Sequence, residues 1–172
     1  MVKEPDEAPD EMLLNLLPFD FAEAIGYVVT AWARVEHDID EMIWSSAGIE
    51  DHDIGACLTS QYSSVHARLN ALLALSTLKG EPASEIAKLN RFRDRVAGLS
   101  ERRNRLVHDS WKTAWNLQGA RSSRTYRLQR TARAKLDHDY KAVSLEELAA
   151  LRKDIEGAFD IFQDSKQDEI PF

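Results

Sequence analysis

The stretch ERRNRLVHDSW, residues 101–111, brings arginines at 102, 103 and 105 together with Asn104 and His108. A guanidinium offers a planar, bidentate fork to a phosphate. Histidine titrates near neutral pH and serves as general acid or base. Asn104 adds a neutral donor and acceptor. Arg103, Asn104 and His108 are therefore a kit for phosphodiester cleavage. His108 would move a proton, Arg103 would hold developing phosphate charge, and no metal or other cofactor is required. Arg102 and Arg105 would add phosphate contacts. The plain alternative is a charged helix end with no chemistry.

These residues close a helix that begins near Pro82–Ala83. Its apolar stripe is Ile86, Leu89, Phe92, Val96 and Leu99. Continuing the same spacing of three and four lands on Arg103 and then Leu106, so an arginine stands where the pattern reserves a core position. Arg103 and His108 are five residues apart, and on a continuous helix they point about 140° away from each other. Asn104 and His108 are four apart and share a face. Either the helix ends near Val107, or a second subunit completes the site.

The remaining elements follow from the same periodicity. A first long helix over Phe19–Ser46 carries Phe21, Ile25, Val28, Trp32, Val35, Ile39 and Met42 on one face, with Glu36 beside that stripe. A carboxylate there needs a partner or the reach to touch water. Residues 48–55 read as a loop with Asp53 as N-cap. Its contiguous Glu50, Asp51, His52 and Asp53 do not have the spacing of a zinc site. A second helix is expected over 55–79, with Leu58, Tyr62, Val65, Leu69 and Leu72 as its stripe, stopped by Gly80. From 111 to about 135 the period changes to two, as in a β-hairpin turning at GARS. Ser144 and Glu147 form a capping box for a last helix whose stripe is Leu148, Leu151, Ile155, Phe159 and Phe162. The expected fold is mainly α: an up-and-down bundle of about four to five helices with a β-hairpin insert near 111–131. Residues 1–11 read as a disordered acidic tail, 12–166 as one domain, and 167–172 as a polar tail.

Composition agrees with that architecture. Only 7 glycines and 5 prolines occur in 172 residues, which disfavours a turn-rich all-β fold. A single cysteine, Cys57, excludes an intrachain disulfide and a thiolate zinc cluster. The N-terminus has no apolar core of a signal peptide, and no apolar run approaches the length of a membrane span, so a cytoplasmic protein without membrane contact is expected. The net charge of −7 hides an asymmetry. Residues 91–135 carry a balance of +10 and the rest of the chain −17. Arg124, Arg127 and Arg130 fall in that basic region, where phosphate contacts with RNA are expected. A spacing of three along a strand distributes these arginines over both faces. The alternative is that the acidic and basic parts neutralise each other in the fold.

RNRLVH at 103–108 resembles the R-N-x-x-x-H motif of HEPN domains, helical bundles common in prokaryotic toxin–antitoxin and defence systems. The resemblance covers about residues 19–166 in architecture and six residues in motif. It implies a metal-independent endoribonuclease acting as a homodimer, with two copies of the motif facing one another across a cleft. Arg103 would then be the phosphate ligand, Asn104 a positioning residue and His108 the acid/base. Attack by a 2′-hydroxyl would leave a cyclic phosphate. Glu36 is the acidic residue of the first helix in the position to assist. An antitoxin protein would be a further partner. The second reading is a non-catalytic HEPN-like interaction or nucleotide-binding module, with Arg103 paired to Glu36.

Overall fold

The computed structural model describes residues 11–116, 121–133 and 135–162, with side chains described for 14–114, 125–128 and 140–162. The expected acidic tail, Glu11 excepted, and the polar tail at 167–172 lie outside these residues. In chain order the elements are β1 (Glu11–Leu14), α1 (Phe19–Ala47), α2 (His52–Thr59), α3 (Val65–Leu78), α4 (Ala83–His108), β2 (Ser110–Asn116), β3 (Arg121–Arg133), β4 (Lys135–Val143) and α5 (Leu145–Glu156). A 3₁₀ turn over Ala158–Phe162 follows α5. The chain is mainly helical, a bundle with an antiparallel insert between α4 and α5. No helix among the described residues is long and apolar enough to cross a membrane.

The fold divides into two compact units, Tyr27–Arg103 with Leu151–Phe172, and Met1–Gly26 with Asn104–Ala150. The first unit is helical. Val28, Trp32, Val35 and Ile39 of α1, Leu69 and Leu72 of α3, and Phe92 and Val96 of α4 are at most 3% exposed. These are the positions that the period of three and four selects, because a helix buries one face. Phe159 and Phe162 of the 3₁₀ turn bring their rings to 4.8 and 5.1 Å from Phe92, continuing the apolar stripe of α5 past Gly157.

The region expected as one helix over 55–79 is two helices. Asp51, not Asp53, caps α2, its carboxylate accepting from the amides of Asp53 and Ile54. Ser64 caps α3 by accepting from the Ala67 amide at 3.2 Å. The polar run Ser60–Gln61 and Ser63–Ser64 supplies side chains that compete for backbone hydrogen bonds, and this interrupts the helix. The break also rotates the stripe. Leu58, expected in the core, is 55% exposed, while Thr59 is buried at 2%. Thr59 accepts a hydrogen bond from the indole of Trp44 and donates to the Gly55 carbonyl. Gly80 ends α3 in the left-handed region (φ 73°), with the Glu81 amide reaching back to the Ser76 carbonyl.

The second unit holds a four-stranded antiparallel sheet in the order β1-β2-β3-β4. The β2–β3 pair is the expected hairpin, in register Ser110↔Leu128 through Thr113↔Thr125, with an irregularity before Trp115↔Arg121. Two strands extend it. β1 pairs with β2 from Glu11↔Asn116 to Leu14↔Thr113, and β4 pairs with β3 from Thr125↔Val143 to Arg133↔Lys135. The insert therefore spans 110–143 rather than 111–135. The Thr113 hydroxyl donates to the Leu16 carbonyl at 2.6 Å, fixing the chain just before α1 against β2. Ser144 and Glu147 form the expected capping box at α5, each amide donating to the other side chain at 3.2 Å.

Candidate functional site

α4 does not unwind near Val107. It runs unbroken from Ala83 to His108, and the Asp109 amide still donates to the Arg105 carbonyl at 3.1 Å. Arg103 and His108 thus stand five positions apart on one helix, and their side chains diverge by about 140°. Arg103 is half-buried and its Nε is shielded from solvent. Leu106, the next member of the stripe, is 5% exposed. The arginine does occupy the core-facing row of α4. Asn104 and His108 lie on another face and are both exposed. His108 is thus open to solvent.

The residues just after the motif anchor this end of α4. The indole Nε1 of Trp111 donates to the Leu106 carbonyl at 2.9 Å, satisfying one of the carbonyls that a helix end leaves without an intrahelical partner. The Trp111 ring also lies 6.2 Å from that of Phe21. Arg127 of β3 places its Nε 3.3 Å from Oδ2 of Asp109, and both side chains are largely buried, at 9% and 20% exposed. A charge pair withdrawn from water is held strongly by Coulomb attraction. It ties the residue after His108 to the central strand of the sheet. The basic stretch predicts an RNA contact at Arg127. The structure places it inside, 7% exposed, where its guanidinium answers Asp109. The usable signal was the single acid, Asp109, at the entry to a long acid-free stretch.

The other candidates sit as follows. Arg102 is on the exposed side of α4, with Nη1 2.7 Å from Oδ2 of Asp154. Arg105 is half-buried. Arg124 and Arg130 belong to β3 and share its strand parity with Tyr126 and Leu128, opposite to Arg127; their side chains lie outside the described residues. In register, β4 sets Asp139 opposite Gln129 and Asp137 opposite Thr131. These aspartates share the strand parity of Arg127, while Arg130 stands opposite His138.

Glu36 lies in a cluster with two other charges. Its Oε1 is 4.0 Å from Nη1 of Arg68, and Nε of that arginine donates to Asp40 Oδ1 at 2.8 Å. Its ionic partner is thus Arg68 of α3, rather than the Arg103 pairing of the non-catalytic reading. The Glu36 side chain remains 36% exposed. The acidic loop before α2 is used structurally, with Asp51 capping α2 and the His52 ring edge-on to Trp44 at 5.5 Å.

Comparison of the chain with protein-family models, with curated proteins and with solved structures finds no match.

Proposed function

We propose that this chain is a metal-independent endoribonuclease of HEPN type that acts as a homodimer, with a place in a toxin–antitoxin or defence system. The observation that carries the reading is the unbroken helix ending at His108. It sets a half-buried arginine and an exposed histidine on different faces of one helix, so a site that uses both must take them from two chains. Within such a site His108 removes the proton from a 2′-hydroxyl as that oxygen attacks the adjacent phosphorus. The bond to the 5′-oxygen breaks, that oxygen takes up a proton from water, and the products are a cyclic phosphate and a free 5′-hydroxyl. Arg103 of the facing copy neutralises charge on the non-bridging oxygens, and Asn104 orients the phosphate. Trp111 and the Asp109–Arg127 pair keep the imidazole where the reaction needs it.

The test is RNA cleavage in the presence of chelator by the wild-type chain, by Arg103→Ala and by His108→Ala, followed by a mixture of the two variants. Each variant alone should be inactive. Their mixture should recover roughly a quarter of wild-type activity, because random exchange makes mixed dimers of half the chains and each holds one intact site of two. A strictly monomeric wild-type protein, or a mixture as inactive as its components, sinks the composite site.

The non-catalytic module remains the second reading. One observation favours it: Arg102 and Arg127 direct their charge to Asp154 and Asp109, within the protein. Wild-type dimers that leave RNA intact would decide for it.

A further inference from the structure

Away from the motif, the helical unit carries a groove of about 550 Å³ between α1 and α5. Its floor is apolar, formed by Val35 and Ile155, both at most 3% exposed. Its rim carries Tyr27, Arg34, Asp38, Arg152 and Glu156. Tyr27 is a large ring left 49% exposed. The Arg152 guanidinium lies 4.9 Å from the centroid of that ring, within the range of a cation–π contact. Glu156 holds Arg152 in place through a 2.7 Å bond to its Nε. The guanidinium thus lies over one face of the ring, and the two form a stacked pair. Arg34 lies seven residues along α1 from Tyr27, two turns on the same side of the helix. Arg34 is exposed and has no ion pair among the described residues.

A flat ring, a stacked guanidinium and an uncommitted arginine match the two halves of a nucleotide. A base has a π-face for Tyr27 and Arg152, and a phosphate accepts two hydrogen bonds from Arg34. Asp38 and Glu156 can accept from a ribose hydroxyl. A duplex hides its base faces, whereas an unpaired strand can turn them into a concave groove.

We propose that the α1–α5 groove is a binding subsite for single-stranded RNA, with one base stacked on Tyr27 and an adjoining phosphate held by Arg34. The choice of RNA as occupant rests on the ribonuclease reading, while the groove's geometry does not depend on it.

The test is fluorescence anisotropy of a labelled short oligouridylate and of a duplex RNA of the same length. The protein is the full chain carrying His108→Ala, so that the probe stays intact. Tyr27→Leu should weaken oligouridylate binding by roughly 5- to 150-fold, and Tyr27→Phe should restore it. Arg34→Gln should weaken it too and reduce the salt dependence, log K against log salt, by about 0.7. Duplex should bind more weakly than the single strand and should not respond to Tyr27→Leu. Circular dichroism of each variant separates lost binding from lost folding, and Tyr27→Phe keeps the ring if Tyr27→Leu fails to fold. Oligouridylate affinity that is undetectable, or unchanged by Tyr27→Leu and Arg34→Gln, overturns the subsite. Normal binding by the groove variants beside His108-dependent cleavage by otherwise wild-type chain removes the subsite and leaves the nuclease. Groove-dependent binding by a wild-type chain that cuts no RNA removes the nuclease and leaves the subsite.

Discussion

Arg127→Met tests whether the end of the motif helix is held by a buried charge pair. Arg127 and Asp109 approach to 3.3 Å with side chains 9% and 20% exposed. Nε of Arg127 and Oδ2 of Asp109 are both shielded from solvent and lack a well-aligned hydrogen bond, so the attraction is mainly Coulombic. At an effective dielectric of 20 that separation is worth about 5 kcal/mol before desolvation. Removing one partner of a buried pair typically costs about 3–5 kcal/mol, because the other charge stays buried without compensation. Asp109 keeps some water, which places Arg127→Met near the low end, about 3 kcal/mol. Asp109→Asn leaves the more deeply buried guanidinium behind and should cost at least as much. The double variant removes both charges and should fall short of the sum of the singles by about 2 kcal/mol. Urea unfolding followed by tryptophan fluorescence reads all three, and thermal melting should show a drop of roughly 6–12 °C for Arg127→Met. If each single variant costs less than about 1 kcal/mol, or if the two effects simply add, the pair does not anchor the helix end. RNA cleavage by Arg127→Met, measured well below its melting point, should also fall, because Asp109 is the residue that follows His108.

Other expectations rest on single contacts. A β-carbon added at Gly55 would meet the Trp44 ring at 2.7 Å. Gly55→Ala should therefore destabilise the protein by about 1–3 kcal/mol, although helix propensity alone predicts a gain of about 1 kcal/mol; a rise in melting temperature would refute the steric reading. Phe92→Ala empties a fully buried site beside Phe159 and Phe162 and should cost about 3–5 kcal/mol in denaturant unfolding. Ser144→Ala removes the side-chain half of the α5 capping box and should cost about 1 kcal/mol. The Ser144 side chain, with the backbone amide of Glu146 second, holds the Glu146 carboxyl below its ordinary value. A depressed carboxyl stabilises the fold above the unfolded pKa, and that contribution is lost as pH falls through the lowered folded value. Ser144→Ala should move the Glu146 titration upward by NMR, and an unmoved titration would show that the serine is not the cause.

Helix positions were legible because burial of one face imposes a period, and that period survives in the sequence. Most stripe positions of α1, α4 and α5 are buried, while Ile25, Met42, Ile86, Phe159, Phe162 and the core-row Arg103 are only partly so, and Ile43, Trp44 and Ala158 are buried beside the stripes. The α5 capping box was legible because both partners are local. The break between α2 and α3 was harder to see, since Leu58 and Tyr62 extend the apolar spacing of α3 backwards. There the polar run Ser60–Ser64 outweighed periodicity. β4 was missed because KLDHDYKAV is polar. Its alternation of Leu136, His138, Tyr140 and Ala142 with Asp137, Asp139 and Lys141 was a usable, weak signal. β1 has no local signal beyond EMLL, and its partner β2 lies about a hundred residues away.

The sequence by itself determined the helical bundle, the inserted hairpin and the unusual chemistry gathered at 101–111, because each is written in short-range spacing. Tertiary structure alone decided what the arginines do. Identical guanidinium groups became a buried partner for Asp109, a surface tie to Asp154, a clasp for Asp40 and Glu36 and, at Arg34, a charge with no ion pair among the described residues. Burial and the nearest carboxylate set those roles, and neither is a property of spacing along the chain. Whether α4 would stop before His108 was likewise settled in three dimensions, by the Trp111 indole and the Arg127 side chain that close its last turn.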